Sequence, residues 1–254
     1  MAFWICVAVA FGLNWLVFVP SNVARTERYF DLTGAATYLT VTALALLLAD
    51  DLDTRSYVLG ALVAIWALRL GTFLFRRVVK AGHDRRFDKI KNDVKSFFIT
   101  WTLQGLWVSL TAGAALAAIT SDSQQSFGAL GFIGLAVWLA GFAIEVVADA
   151  QKSQFRSDPA NSGRFITTGL WAWSRHPNYF GEIVLWIGVA LIALPALDGL
   201  WYLTLVSPLF VTLLLTKISG IPMLERGAAK RWGDEPEYRQ YVQSTPVLVP
   251  RPPR

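Results

Sequence analysis

Residues 32–49 read LTGAATYLTVTALALLLA, eighteen positions without a charge, closed off by Asp31 before them and by Asp50, Asp51 and Asp53 after them. A helix that crosses a bilayer needs about 20 mostly apolar residues. Working outward, six more stretches meet the same test: 3–20, 57–75, 97–119, 128–148, 180–196 and 200–217. The first begins almost at Met1 and lacks both a basic n-region and a small-residue cleavage site, so it reads as a retained helix rather than a removed signal peptide. Glu145 interrupts the fifth, and Pro195 and Pro208 fall in the last two. Proline is tolerated there when neighbouring helices or water satisfy the freed carbonyl. The expected fold is all-α, an integral membrane protein with seven transmembrane helices in one domain over 1–254.

Composition agrees. The chain is 54% hydrophobic and only 16% charged, with 11 Trp and 16 Phe, and its mean hydropathy is +0.44. Soluble domains carry roughly a quarter charged residues, whereas aromatic residues gather at the two faces of a bilayer. One cysteine, Cys6, cannot form a disulfide within the chain, and low hydrophobicity, the requirement for disorder, is missing. The net charge of +5 belongs to a lipid-facing chain rather than to a nucleic-acid binder.

Charge placement gives the orientation. Segments 21–31, 76–96, 149–179 and 217–254 hold 21 of the 23 Lys and Arg residues, which leaves only Arg55 on the opposite side and Arg69 inside a span. The positive-inside rule puts the C-terminus in the cytoplasm and the N-terminus outside, in the cell (inner) membrane. There are no repeats at a fixed period. The linker-like stretches are Thr120 to Ser126 and the Pro-rich end from Pro250 to Arg254.

The stretch densest in ligand-binding groups is ADAQKSQFRSDPANSGRFITTGLWAWSRHPNYFGE, residues 148–182. It joins the fifth and sixth spans. Gly163, Gly169 and Gly181 allow close backbone approach or unusual dihedral angles. In His176-Pro177-Asn178 the residue before proline is extended, and Pro177 is set to begin a helix with Asn178 and Glu182 in its first turn. No G-x-G-x-x-G follows a strand, so a dinucleotide would have to be held by helix ends and loops.

GLWAWSRHPNYFGEI (169–183), preceded by ADAQKSQF (148–155) and followed by GIPMLE (220–225) and EYRQYVQSTPVLVP (237–250), resembles the steroid 5-alpha-reductase superfamily, and within it the bacterial branch labelled domain of unknown function 1295. The resemblance runs from Tyr29-Phe30-Asp31 through LRLGTFLFRR (68–77) and LQGLW (103–107) to Pro250, so PVLVP reads as part of the fold and not as a docking tail. It implies a seven-helix membrane reductase that takes NADPH from the cytoplasmic side and reduces a conjugated carbon–carbon double bond in a steroid-like, isoprenoid or fatty-acyl lipid. By motif position it implies a cofactor set of Asp149, Arg156, Asn161, Arg164, Ser174, Arg175, Asn178, Tyr179 and Glu182, with Arg231 and Tyr241 added from the C-terminal motif. Isoprenylcysteine carboxyl methyltransferases carry a similar RHP-x-Y-x-G-E element, so a membrane methyltransferase using S-adenosylmethionine stays open, as does a non-catalytic lipid-binding protein. Charge separates the cofactors. NADPH carries phosphates that suit Arg and helix N-termini, and Arg76, Arg77, Arg85, Arg86, Arg156, Arg164, Arg175, Arg226, Arg231 and Arg239 all fall on the cytoplasmic side, where anionic lipid also draws them.

Hydride addition to an enone builds negative charge on the carbonyl oxygen and needs a donor there. The steroid-reducing branch uses a Gln-Glu pair near the first helices and a later Tyr. Here Trp15 to Ser21 contains no acid and Ala67 to Gly71 no tyrosine. Ionisable residues at membrane depth are functional candidates, so Arg69, Glu145 and Gln104 are the candidate catalytic residues. Their alternative role is structural, an Arg69–Glu145 pair with Gln104 bonding across helices. Asn14 reads as structural, Cys6 as packing and His83 as a loop residue. Two distant histidines and one cysteine do not make a metal site.

Overall fold

The computed structural model describes residues 1–123 and 125–253, with the side chains of Ala81 and Arg85 outside the description. Gln124 of the first linker-like stretch, Arg254 of the second and the Arg85 guanidinium therefore lie outside the described residues. Among these, the chain is helical throughout: α1 (Ala2–Val23), α2 (Phe30–Leu48), α3 (Thr54–Ala81), α4 (Val94–Thr111), α5 (Gly113–Ile119), α6 (Gly128–Ser157), α7 (Pro177–Ala193), α8 (Val206–Leu213), α9 (Ile221–Trp232) and α10 (Pro236–Ser244), with short 3₁₀ turns between. Six helical stretches are long and apolar enough to cross a membrane, and the bent pair α4 and α5 makes up to seven. The protein is an integral membrane protein.

The starts of the helices follow from local chemistry. Asp53 caps α3 by accepting from Ser56 N at 2.8 Å, and Asp93 caps α4 by accepting from Ser96 N at 2.8 Å. Pro177 opens α7, as its fixed φ and missing N–H suit a first turn.

Three spans differ from the expectation. The fourth is not one rod, since α4 and α5 meet at Ala112 with a bend of 55°. Ser207 donates its hydroxyl to the Thr111 carbonyl at that break, giving the freed acceptor a partner. The fifth does not end at residue 148. It continues as α6 to Ser157, so Asp149, Lys152 and Arg156 are helical and not loop residues. The last, expected as one helix over 200–217, is a 3₁₀ segment (Gly199–Leu205), then α8, then a π-helical turn (Leu214–Ile218).

The chain divides into two compact units, Met1–Phe132 with Val189–Ser207 and Ile133–Gly188 with Pro208–Arg254. The boundaries fall inside α6, α7 and α8, so each unit is built from segments far apart in sequence.

In the first unit α1, α2 and α4 pack around buried aromatics, among them Phe30, Phe87, Phe97 and Trp101, and α3 packs on α2. Asn14, fully buried, donates to Ala10 O at 2.8 Å and to Thr37 Oγ1 at 3.3 Å, the structural part expected of it. Gln104 donates from Nε2 to Phe30 O at 3.0 Å and packs against Gly34, where a Cβ would come within 2.6 Å of its amide nitrogen. Glu27, 5% exposed, ties the basic 82–93 loop down by accepting from Asp84 N at 2.9 Å and Lys91 Nζ at 2.7 Å. Those two donors outweigh its burial and hold the carboxyl below its ordinary value.

Arg55, the one basic residue that charge placement leaves on the opposite side, is 1% exposed. Nε donates to Ile192 O (2.9 Å), Nη1 to Gln125 O (2.9 Å) and Nη2 to Ser126 O (2.8 Å), and Asp53 Oδ2 lies 3.4 Å from Nη1. Ile192 is in the last turn of α7, where carbonyls lack helical partners and a cation complements the dipole.

In the second unit α6 and α7 cross at glycines. A Cβ on Gly181 would stand 2.6 Å from Gly141 O and 2.7 Å from Glu145 N, and one on Gly141 would stand 2.5 Å from Leu185 N. Only bare backbones reach such a distance, the usual basis of tight helix pairs in lipid.

Candidate functional site

The second unit holds a cavity of about 290 Å³. The end of α6 supplies Lys152, Phe155 and Arg156, the following loop supplies Arg164, Phe165, Trp171, Arg175 and His176, and α9 and α10 supply Glu225, Arg231, Trp232, Tyr238 and Tyr241. A second cavity of about 690 Å³ shares Phe155, Arg164, Phe165 and Tyr241 with it.

The loop is held in place by contacts the sequence encodes locally. Gly169 adopts φ +62°, and a Cβ there would meet the Gln151 side chain at 2.6 Å. That side chain accepts from Leu170 N at 2.9 Å. The Trp171 indole donates to Ala148 O at 3.0 Å, and Lys152 Nζ sits 4.0 Å from the centre of its ring. Tyr241 donates its hydroxyl to Trp171 O at 2.7 Å, and burial pushes its phenol well above the ordinary range. The chain end closes the loop from the other side. Arg175 N donates to Pro246 O (2.9 Å), Ser174 Oγ to Leu248 O (2.8 Å) and Arg251 N to Trp173 O (2.9 Å). The PVLVP segment is part of the fold, as its resemblance implies.

Arg175, His176 and Glu225 form the inner wall. Arg175 donates through Nη1 to Glu225 Oε2, and His176 Nε2 lies 2.8 Å from Glu225 Oε1. His176 is 4% exposed, its ring stacks on Tyr179 at 5.7 Å, and burial is the largest influence in holding its imidazole below the ordinary value. Among the described residues His176 Nδ1 and Arg175 Nε are buried without a hydrogen-bond partner. Arg164 and Arg231 are exposed and have no acidic partner among the described residues.

Of the eleven residues in the implied cofactor set, Arg156, Arg164, Arg175, Arg231 and Tyr241 line the first cavity and Asn161 the second. The others do not line these two cavities. Ser174 is fully buried under the C-terminal strap. Asn178 Nδ2 donates to Asp149 Oδ1 at 3.1 Å across the α6–α7 crossing, Tyr179 stacks on His176, and Glu182 is half-buried on α7. Of the candidate catalytic residues, Glu145 is 2% exposed on α6 one turn before Asp149. Arg69, on α3 of the first unit, is half-buried with its guanidinium 5.4 Å from the Phe73 ring, and Gln104 is in the same unit on α4. Glu225 was not singled out from sequence. The signal available was its place as the one acid in IPMLERGAAKRW, beside Arg226, Lys230 and Arg231.

Residues 17–245 match the family described as "Protein of unknown function (DUF1295)". Over 173 residues the chain is 25% identical to an uncharacterized protein of Schizosaccharomyces pombe, covering 58% of this chain and 50% of that protein. It is 34% identical over 76 residues to a Delta(14)-sterol reductase of Neurospora crassa, 24% of this chain and 16% of that one. A Delta(14)-sterol reductase of Ascobolus immersus is 35% identical over 107 residues, covering 33% and 25%. The chain thus spans half or less of the length of these relatives. No solved structure matches it.

Proposed function

The chain belongs to this family of unknown function, DUF1295, and on that premise we propose that it is an NADPH-dependent membrane reductase of a conjugated carbon–carbon double bond in a lipid of steroid-like, isoprenoid or fatty-acyl type. The stretches shared with proteins named Delta(14)-sterol reductase support the reaction class. The observation that carries the cofactor is the cavity, where four arginines stand beside aromatic walls.

These residues fit a dinucleotide phosphate. Arg164 and Arg231 are free of acids among the described residues and can meet phosphate oxygens through paired N–H groups. Trp171, Phe165 and Trp232 offer ring faces. The shared wall of the two cavities suits a ligand longer than either. When bound, NADPH supplies a hydride. The chain's own residues hold and orient the cofactor, and Asp149 and Asn178 serve by fixing α7 against α6. Charge developing on the lipid's carbonyl calls for a donor. Arg69 leads among the candidates, and Glu145 is the alternative donor. Gln104 follows, because its amide nitrogen is already engaged with Phe30 O. With the C-terminus in the cytoplasm, the cavity faces the soluble pool of NADPH.

Titrating NADPH, NADH and S-adenosylmethionine into detergent-solubilised protein tests the reading. Saturable binding of NADPH, tighter than NADH and weakened by salt, supports it. Binding of S-adenosylmethionine without NADPH overturns it.

A further inference from the structure

Three acids of the first unit, Glu27, Asp31 and Asp84, are each already taken by a cation. Arg77 and Arg86 reach Asp31 Oδ2 at 4.0 and 3.4 Å, Arg86 meets Asp84 at 2.6 Å, and Lys91 meets Glu27 at 2.7 Å. The side chains of Glu27, Asp31 and Asp84 are only 3%, 12% and 13% exposed. Asp84 N also donates to Glu27 Oε1, and the Tyr29 ring stacks on Phe75 at 6.4 Å, so the turn after α1, the end of α3 and the 82–93 loop form one surface. With the acids spent beneath it, the remaining cations are uncompensated. Arg25, Arg28, Arg76, Lys80 and Lys89 are exposed, sit within three residues of these ties, and have no acidic partner among the described residues. Exposed Val23, Tyr29 and Val79 are interspersed with them. Topology requires only that positive charge lie on one side of the membrane, not that a particular residue carry it. Arg25 departs from that rule. It follows α1 with φ +48°, the one non-glycine residue in the left-handed region among the described residues, at a place where helices commonly end on glycine. Strain of that kind is retained where the side chain is used.

We propose that Arg25, Arg28 and Arg76 form a binding site for the headgroup of an anionic phospholipid, with Lys80 and Lys89 at its rim. Arginine pairs with phosphate oxygens through two N–H groups. Its long stem lets the charge reach a headgroup while the methylenes stay in apolar surroundings. Free phosphate offers the same charge but nothing for the exposed Val23, Tyr29 and Val79, so a lipid is the occupant. The site belongs to the first unit and is independent of the cofactor cavity in the second, so it stands or falls apart from the NADPH reading.

Calorimetry on the detergent-solubilised protein compares dioctanoyl phosphatidylglycerol with dioctanoyl phosphatidylcholine and inorganic phosphate. The anionic lipid should bind at least about tenfold more tightly than the zwitterionic one, and phosphate at matched ionic strength should not displace it. A cation near an anionic lipid surface contributes about fivefold in affinity. Arg28→Gln combined with Arg76→Gln should therefore weaken phosphatidylglycerol about twentyfold and phosphatidylcholine by less than about twofold. Arg226→Gln combined with Arg239→Gln removes the same charge from exposed positions of the second unit and should change either lipid by less than about twofold. Arg25→Gly suits the backbone at that position, so the variant should fold at least as well as the parent protein and still lose about fivefold for phosphatidylglycerol. Equal affinity for the two lipids, or displacement of phosphatidylglycerol by phosphate, overturns the proposal in the unaltered protein, whether or not any variant folds. An equal loss in the two double variants leaves only bulk charge and overturns it too, as does a folded Arg25→Gly protein with unchanged affinity.

Discussion

Replacing Arg55 with Met keeps most of the side chain's volume and removes the guanidinium. Three backbone carbonyls, those of Ile192, Gln125 and Ser126, then lose donors at 2.8–2.9 Å from an arginine that is 1% exposed. Hydrogen bonds to charged groups contribute about 1.5–3 kcal/mol each, but they are not additive, and removal of the arginine also ends the cost of burying it. A net loss of about 4 kcal/mol follows, in the range of about 3–5 kcal/mol for breaking buried ionic contacts. For a chain of this size, about 1 kcal/mol shifts the melting temperature by about 2–4 °C, so a fall of about 10 °C is expected. Arg55→Lys keeps the charge but not the planar fork, and a single ammonium does not reach all three carbonyls in the same geometry, so about half the loss should remain. Thermal unfolding in one detergent, followed by tryptophan fluorescence, reads both variants. A Met variant within about 2 °C of the parent protein refutes the reasoning, because the three carbonyls would then have other partners.

Arg164→Gln and Arg231→Gln should each weaken NADPH binding about tenfold and flatten its salt dependence, measured by calorimetry, and unchanged affinity in both would remove these arginines from the site. Because burial holds the His176 imidazole below its ordinary value, the unfolded chain takes up a proton first as pH falls below about 6.5, so stability should drop from pH about 7.5 to about 5.5. His176→Gln should lessen that drop, and an identical pH profile in both proteins speaks against it. Gly181→Leu places side-chain atoms where Gly141 O is already 2.6 Å from a Cβ, and a loss above about 3 kcal/mol or failure to fold is expected. A well-folded variant of normal melting temperature counts against the crossing. Arg69→Leu should abolish turnover while NADPH still binds, whereas a purely structural Arg69 would show instead as lost stability.

The spans were legible because apolar length is a local property, and the run at 32–49 is matched closely by α2 over Phe30–Leu48. The ends were less legible. Lys152 and Arg156 look like loop residues by polarity, yet ADAQKSQF contains no helix breaker, and the helix stops only before Asp158-Pro159. At the bend near Ala112 the Thr111 carbonyl is met by Ser207, 96 positions away, which no window on the sequence brings together. The anchoring of Arg55 was hidden for a related reason. Its three carbonyl partners belong to backbone at 125, 126 and 192, and carbonyls leave no mark in a pattern of side chains. In the candidate site the arginines were legible from motif and charge, while Glu225 was hidden because one acid among basic residues reads as solvated surface until Arg175 and His176 are seen against it.

α6 has 30 residues, which at about 1.5 Å per residue is a rod of about 45 Å. The hydrocarbon core is about 30 Å thick, so one uninterrupted helix outruns it by about 15 Å. Its apolar part, 128–148, is close to the bilayer in length, and the turns after it carry Lys152 and Arg156 into the walls of the cavity. With 128–148 set across the hydrocarbon, the height of that cavity above the lipid is geared to bilayer thickness. In a thicker membrane the helix must tilt upright, or draw Lys152 toward hydrocarbon, at a modest cost per ångström of mismatch. Reconstitution in lipids of graded chain length should therefore act on this protein as a dial, setting how far the cavity stands in water without any change to the residues that line it.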